Sequence, residues 1–168
     1  MDHRQMMPAL LLTLAACGPT AKPPAPDQPA KLAAFPNGEW EVSTTTETLK
    51  SADNFAPATK AKVGATTVAK VCAAPGPKPD PALFTQAGDQ CTPTSNYAKD
   101  GRLNISYNCT RPGNGLLTPT LDGNYDATTF EVAVATGTYF SGQGDYVLTQ
   151  RIKGKRLGDC TPGAKAAG

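Results

Sequence analysis

The sequence is poorest in histidine. Its one imidazole is His3, inside a stretch that reads as a leader, so the mature chain is expected to carry none. That excludes Ser-His-Asp and Cys-His catalysis and removes the commonest transition-metal ligand. Charge of one sign is also lacking: 16 Lys+Arg against 14 Asp+Glu leave a formal +2, too little to argue for nucleic acid. No apolar run reaches the ~20 residues a membrane helix needs, and the longest, Met6 to Ala16, has the length of a signal h-region. Close-set cysteine pairs are missing too. The nearest two of Cys72, Cys91, Cys109 and Cys160 stand 18 apart, whereas zinc knuckles place thiols a few residues apart, which disfavours a four-thiolate zinc site. No catalytic residue, metal or cofactor is expected, and the chain is read as not an enzyme.

What is present starts with the leader. Arg4 and the amino terminus make a weakly positive n-region, blunted by Asp2, and the apolar run ends on Leu14-Ala15-Ala16-Cys17. That tetrad resembles the lipobox of bacterial lipoproteins, where the cysteine is diacylated and becomes the first mature residue. It accounts for the odd fifth cysteine; the bland alternative is a secretory signal with a chance cysteine. Acyl chains contribute about 0.8 kcal/mol per buried methylene, so more than one makes a stable anchor. Behind Cys17, the segment to Pro36 carries Pro19, Pro23, Pro24, Pro26, Pro29 and Pro36 among Ala, Lys and Gln, a composition for an extended tether rather than a core. The expected division is a signal peptide at 1–16, lipidated Cys17 with a tether to 36, one domain at 37–161 and a disordered tail at 162–168. Gly18 stands where an Asp would favour inner-membrane retention in enteric lipoproteins. The expected location is therefore the bacterial cell envelope, lipid-anchored on the periplasmic face of the outer membrane.

In an oxidising periplasm the four remaining cysteines read as two disulfides. Arg102 to Cys109 alternates, with Leu103, Ile105, Tyr107 and Cys109 on one face and Arg102, Asn104, Ser106 and Asn108 on the other, the pattern of a half-buried strand. Ala98-Lys99-Asp100-Gly101 precedes it as a turn with glycine at a left-handed position. A three-residue loop, Lys99 to Gly101, pairs Ala98 with Arg102, Tyr97 with Leu103, Pro93 with Tyr107 and Cys91 with Cys109. Cys91–Cys109 is thus the leading bridge, leaving Cys72–Cys160; Cys72–Cys91 with Cys109–Cys160 stays open. Loop-entropy arguments give each bridge roughly 3 to 5 kcal/mol, the longer loop more.

Glu39 to Leu49, with Trp40, Val42, Thr44 and Thr46 on one face, reads as another strand. So do the segments around Phe130, Val132 and Val134 and around Tyr146, Leu148 and Ile152. Turns are expected at Asp122-Gly123-Asn124, around Gly137 and at Ser141 to Gly144. Pro57 to Val63 and Asp80 to Phe84 look like short helices, the second with an N-cap and an N1 proline. The expected fold class is mainly β: an antiparallel meander, sandwich or small barrel with one or two short helices and two disulfides.

Functional motifs are thin. Asp122, Asn124 and Asp126 have the spacing that opens a calcium loop, but Ala127 and Ala133 stand where glycine and glutamate are needed. Arg151, Lys153, Lys155 and Arg156 concentrate positive charge. They offer contact with an anionic surface, against the plainer reading of a lysine-protected strand face. Glu39, Glu41 and Glu47 read as strand solubilisers. Trp40, Tyr97, Tyr107 and Phe130 read as core. Ser141-Gly142 with Tyr146 loosely resembles the loop of small β lipoproteins that inhibit lysozyme, with one residue too many.

The order of Gly38-Glu39-Trp40-Glu41, Val71-Cys72, Cys91 and Cys109 around a glycine turn, Gly123 and Tyr125 before Phe130, and Lys155-Arg156-Leu157-Gly158-Asp159-Cys160 resembles the bacterial family of domain of unknown function 3617. The resemblance runs from about residue 37 to 160. It implies a secreted or lipid-anchored, disulfide-bonded envelope protein and no activity. The expected partners are a membrane through the lipid anchor and a small ligand, a lipid or an envelope protein. The function that fits is a non-catalytic binding or envelope-associated module; an inhibitor or protective factor and an envelope hydrolase are the alternatives.

Overall fold

The computed structural model describes residues 32–160, apart from 77 and 114. The expected signal peptide, Cys17, most of the tether and the C-terminal tail lie outside the described residues. Seven strands form one antiparallel sheet: β1 (Gly38–Ser51), β2 (Thr66–Ala73), β3 (Gln90–Lys99), β4 (Arg102–Arg111), β5 (Gly115–Tyr125), β6 (Thr129–Phe140) and β7 (Tyr146–Gly158). Their order is β2-β1-β7-β6-β5-β4-β3. Five strands run as a meander, and the first strand closes onto the last along most of its length, from Glu39↔Gly158 to Ser51↔Tyr146.

β4 to β7, and β1 over its first half, bury alternate residues on one face, whereas the edge strands β2 and β3 are largely exposed. Leu103, Ile105, Tyr107 and Cys109 are all buried, as are Phe130, Val132 and Val134. A flat sheet could not bury this much of one face, so it curls. Both edge strands border one cleft, lined by Ala69 and Lys70 of β2 and Cys91 of β3. The result is an open, strongly curved meander rather than a sandwich or a closed barrel. Curling needs close approach, and glycine permits it: a Cβ at Gly154 would overlap the ring of Phe130, its cross-strand partner.

The connection from β2 to β3 must pass from one edge of the sheet to the other. It does so across the open side and drives Leu83 and Phe84 into the core. The expected cap at Asp80 starts a 3₁₀ turn, Pro81–Leu83. The Asp80 carboxylate accepts from the Ala82 amide (3.0 Å) and from the Ala74 amide at the end of β2 (3.0 Å), which fixes the plug to the edge strand. This turn is the only helical element among the described residues. Pro57 to Val63, expected to be helical, is irregular. Seven residues are too few to sustain a helix in isolation, and the Ala58 amide bonds instead to the Gly144 carbonyl (2.9 Å).

Other expectations shift by physical detail. The β3–β4 turn has two residues, not three: Asp100 and Gly101 both take positive φ (54° and 77°), as a tight primed turn requires. Lys99 therefore pairs with Arg102 and Ala98 with Leu103, and an irregularity between Pro93 and Ser95 restores the expected Pro93↔Tyr107 and Cys91↔Cys109. The slip turns Tyr97 outward, 50% exposed, instead of into the core. Asp122-Gly123-Asn124 and Gly137 lie inside β5 and β6; the true β5–β6 turn is at Asp126 to Thr128. The turn at Ser141 to Gly144 stands.

Both disulfides follow the leading pairing, Cys91–Cys109 and Cys72–Cys160. The packed chain also reaches back before residue 37. Phe35 is buried against Trp40, Phe84, Tyr125 and Phe130, and the Leu32 carbonyl accepts from the Asp100 amide (3.0 Å). The segment just before β1 is thus part of the domain.

Candidate functional site

The inward stripe of β1 changes character along its length. Trp40 and Val42 are apolar, and the next two inward positions are Thr44 and Thr46. β7 does the same, with Gln150 between Leu148 and Ile152. Where these positions meet, a cavity of about 450 Å³ opens between β1, β2, β7, the plug and the segment 59–62. Its deep wall is Val42, Val71, Leu83, Phe84 and Ile152. Its outer wall carries Thr44, Thr46, Thr67, Gln86 and Gln150, with Lys60 and Lys62 at the rim. Thr44, Thr46 and Gln150 line this cavity, and among the described residues their side chains make no hydrogen bond to protein. An apolar wall with a few polar groups is the usual makeup of a small-molecule site.

The rim is held by a carboxylate clamp. Asp53 Oδ2 accepts from the Gly144 and Asp145 amides (2.6 and 3.0 Å), and Oδ1 accepts from Phe55 N (3.0 Å) and Ser51 Oγ (3.2 Å). Burial pushes this carboxyl up, but the four donors together outweigh it and hold it below the ordinary aspartate range. The Gly64 amide donates to the Thr46 carbonyl (2.8 Å) and the Thr46 amide to Ala65 (3.0 Å), tying the far end of the β1–β2 loop to the strand.

Behind the plug lies a buried ion pair. Arg111 donates through Nε and Nη2 to Asp89 Oδ1 and Oδ2 (2.7 and 2.8 Å), and through Nη1 to the Tyr146 hydroxyl (3.3 Å). The Asp89 side chain is 4% exposed. The bidentate contact holds the guanidinium above its ordinary pKa. This network anchors the plug's outgoing end to β4 and β7.

The residues expected to carry function sit elsewhere. Arg151 lies beside Glu47 (3.0 Å) and Glu131 (3.7 Å), Lys153 beside Glu131 (3.3 Å), and Arg156 beside Asp159 (2.7 Å). Lys155 is exposed between them. The basic run is thus largely matched by carboxylates, including Glu47, and does not form a free cationic patch. Asp122 accepts from Asn104 Nδ2 (3.1 Å), and Asp126 is spent on its own turn through Thr128 and Thr129. Hydrogen bonds from the Thr128 amide and the Thr129 hydroxyl, against a smaller opposing effect of burial, lower the Asp126 pKa to about 2. Among the described residues no cluster of three or more metal-ligating side chains occurs. Tyr146 is fully buried and is not presented beside Ser141 and Gly142. Trp40, Tyr107 and Phe130 are core as expected, but the cavity lies beyond them. Its signal in the sequence was the threonine and glutamine on otherwise apolar inward positions.

These features define a small, disulfide-bonded β domain, half closed around a side cavity. The chain belongs to the family described as protein of unknown function (DUF3617), whose model matches residues 28–160. The match begins ahead of Leu32, in keeping with the packed segment before β1. No curated protein and no solved structure gives a significant match.

Proposed function

We propose that this chain is a bacterial envelope lipoprotein whose domain binds a small amphipathic molecule and does no chemistry on it. Acylated Cys17 anchors it to the periplasmic face of the outer membrane, and the proline-rich stretch holds the domain off the bilayer. The observation that carries the binding reading is the cavity of about 450 Å³ with an apolar deep wall and unpartnered Thr44, Thr46 and Gln150 facing it. Thr44, Thr46 and Gln150 stand on inward positions that the rest of the stripe fills with apolar side chains, which leaves hydrogen-bonding groups for a guest beside the apolar wall.

Titration of the full chain with the neutral, polarity-sensitive fluorophore 1-N-phenylnaphthylamine tests it. Saturable single-site binding is expected, weakened at least about tenfold by Ala69→Phe, which fills the cavity from an exposed position. Absence of saturable binding, or binding indifferent to Ala69→Phe, overturns the reading. The anchor is tested by the intact mass of protein extracted from its membrane: a diacylglycerol-bearing Cys17 at the first position supports it, and an unmodified cleaved chain removes it.

A further inference from the structure

Resting on that binding site, we propose that its ligand is an anionic single-chain amphiphile, with a carboxylate or phosphate head held by Lys60 and Lys62 and an apolar tail laid against Val42, Val71, Leu83, Phe84 and Ile152. The cavity lining contains two lysines and no aspartate or glutamate. Arg111, which shares a small neighbouring pocket with Phe84, Thr85, Gln86 and Gln150, is neutralised by Asp89, whereas among the described residues Lys60 and Lys62 have no ion-pair partner. A cavity whose charged groups all have one sign attracts the opposite sign, and low-dielectric walls strengthen the effect.

The lysines are also placed. They sit on a strap bonded at both ends: Ala58 N to the Gly144 carbonyl (2.9 Å) on one side, and Gly64 N to the Thr46 carbonyl (2.8 Å) on the other. Within it, Ala61 N donates to Thr59 Oγ1 (3.2 Å) and Ala65 N to the Lys62 carbonyl (3.0 Å). The Asp53 clamp fixes the partner turn. Cations on a pinned strap lose less freedom on meeting an anion than cations on a loose loop. The polarity gradient then orients the guest: head at the strap, hydroxyls and carboxamide around its first atoms, tail toward the plug.

The test is displacement of bound 1-N-phenylnaphthylamine from the full chain by dodecanoate, dodecyl phosphate and dodecyltrimethylammonium, each below its micellar concentration. The two anions are expected to displace it at least about tenfold more effectively than the cation, from two charge contacts at a solvated rim. The relative strength of the two anions identifies the head as carboxylate or phosphate. Lys60→Gln with Lys62→Gln, both exposed, is expected to remove the anion preference, each displacement being referred to the variant's own fluorophore affinity, and an unchanged urea midpoint reports that the variant is folded. Equal displacement by anions and cation, or an anion preference that survives the double variant, overturns the inference and leaves the cavity reading intact. Failure of the fluorophore itself to bind overturns both.

Discussion

At the pole where β1 begins, Phe35, Trp40, Phe84, Tyr125 and Phe130 meet with ring centroids 5.2 to 6.1 Å apart. Toward the opposite pole the same inward stripe carries Thr44, Thr46 and Gln150 around a cavity. The strands are continuous between the two, so the difference lies wholly in side chains. The aromatic pole holds the curl by apolar burial and close stacking. The cavity pole is held from its margins, by the Asp53 clamp and the Arg111–Asp89 pair, which leaves its interior free to receive something. With the proposed function, one sheet divides stability and binding between its ends, and substitutions should sort by end.

The largest effect is expected at the aromatic pole. Trp40→Ala removes the fully buried indole at a cost of about 4 kcal/mol, read as a shift of the urea midpoint at constant slope. Thr44→Val, an inward substitution at the cavity pole, should move it by less than about 1 kcal/mol. Comparable costs would dissolve the contrast. Next comes the marginal support. Asp89→Ala leaves the Arg111 guanidinium buried without its partner and should cost about 3 kcal/mol. It should also weaken fluorophore binding, because the plug's outgoing end loses its anchor.

Acid sharpens the contrast in a third way. Asp126 at the aromatic pole and Asp53 at the cavity pole both have lowered folded pKa values. A lowered carboxyl stabilises the fold above its unfolded pKa, and that contribution disappears as pH falls through the folded one. For Asp126 the window runs from the unfolded value near 3.8 down to about 2. Denaturation midpoints should fall across that interval, and Asp126→Asn should flatten the decline. An unchanged slope in the variant would remove this residue from the acid response.

The smallest effect carries the opposite sign. The Tyr107 hydroxyl is buried with no hydrogen-bond partner, and burial, with the nearby Asp80 charge, raises its pKa. Tyr107→Phe should be neutral or stabilising by up to about 1 kcal/mol; a clear loss would mean that the hydroxyl is satisfied in solution.

Much of this architecture was legible in the sequence because period-two alternation is a local signal. Arg102 to Cys109 announced its buried face, and the register that matched Pro93 with Tyr107 also brought Cys91 to Cys109. What failed was non-local. The expected turn ran one residue too long because nothing near Asp100 reveals that both turn residues take positive φ, and the compensating irregularity at Thr94 sits far from the turn. Gly123 reads as a turn by composition, yet it lies within β5, where the close approach of the Glu131 carbonyl leaves no room for a Cβ. Phe35 looked like tether because its partners are rings from β1, β5, β6 and the plug. The cavity was hidden for a similar reason. Thr44, Thr46 and Gln150 were in view, but that the plug stops short of them follows only from the path of the β2–β3 connection.

The pairing of β1 with β7 also sets an order of events. Synthesis delivers β1 and β2 first, yet the second neighbour of β1 is the last strand to emerge, and the bridge between Cys72 and Cys160 spans 88 residues. The β3–β7 meander and the 18-residue Cys91–Cys109 loop close through short contacts and form early; ladders of high sequence separation wait for loop closure. For that interval the amino-terminal hairpin has a free edge on each side, open to pairing with another chain. The cavity, built from β1, β2 and β7, is therefore the last part of the molecule to exist, and a guest that fills it draws the final closure forward.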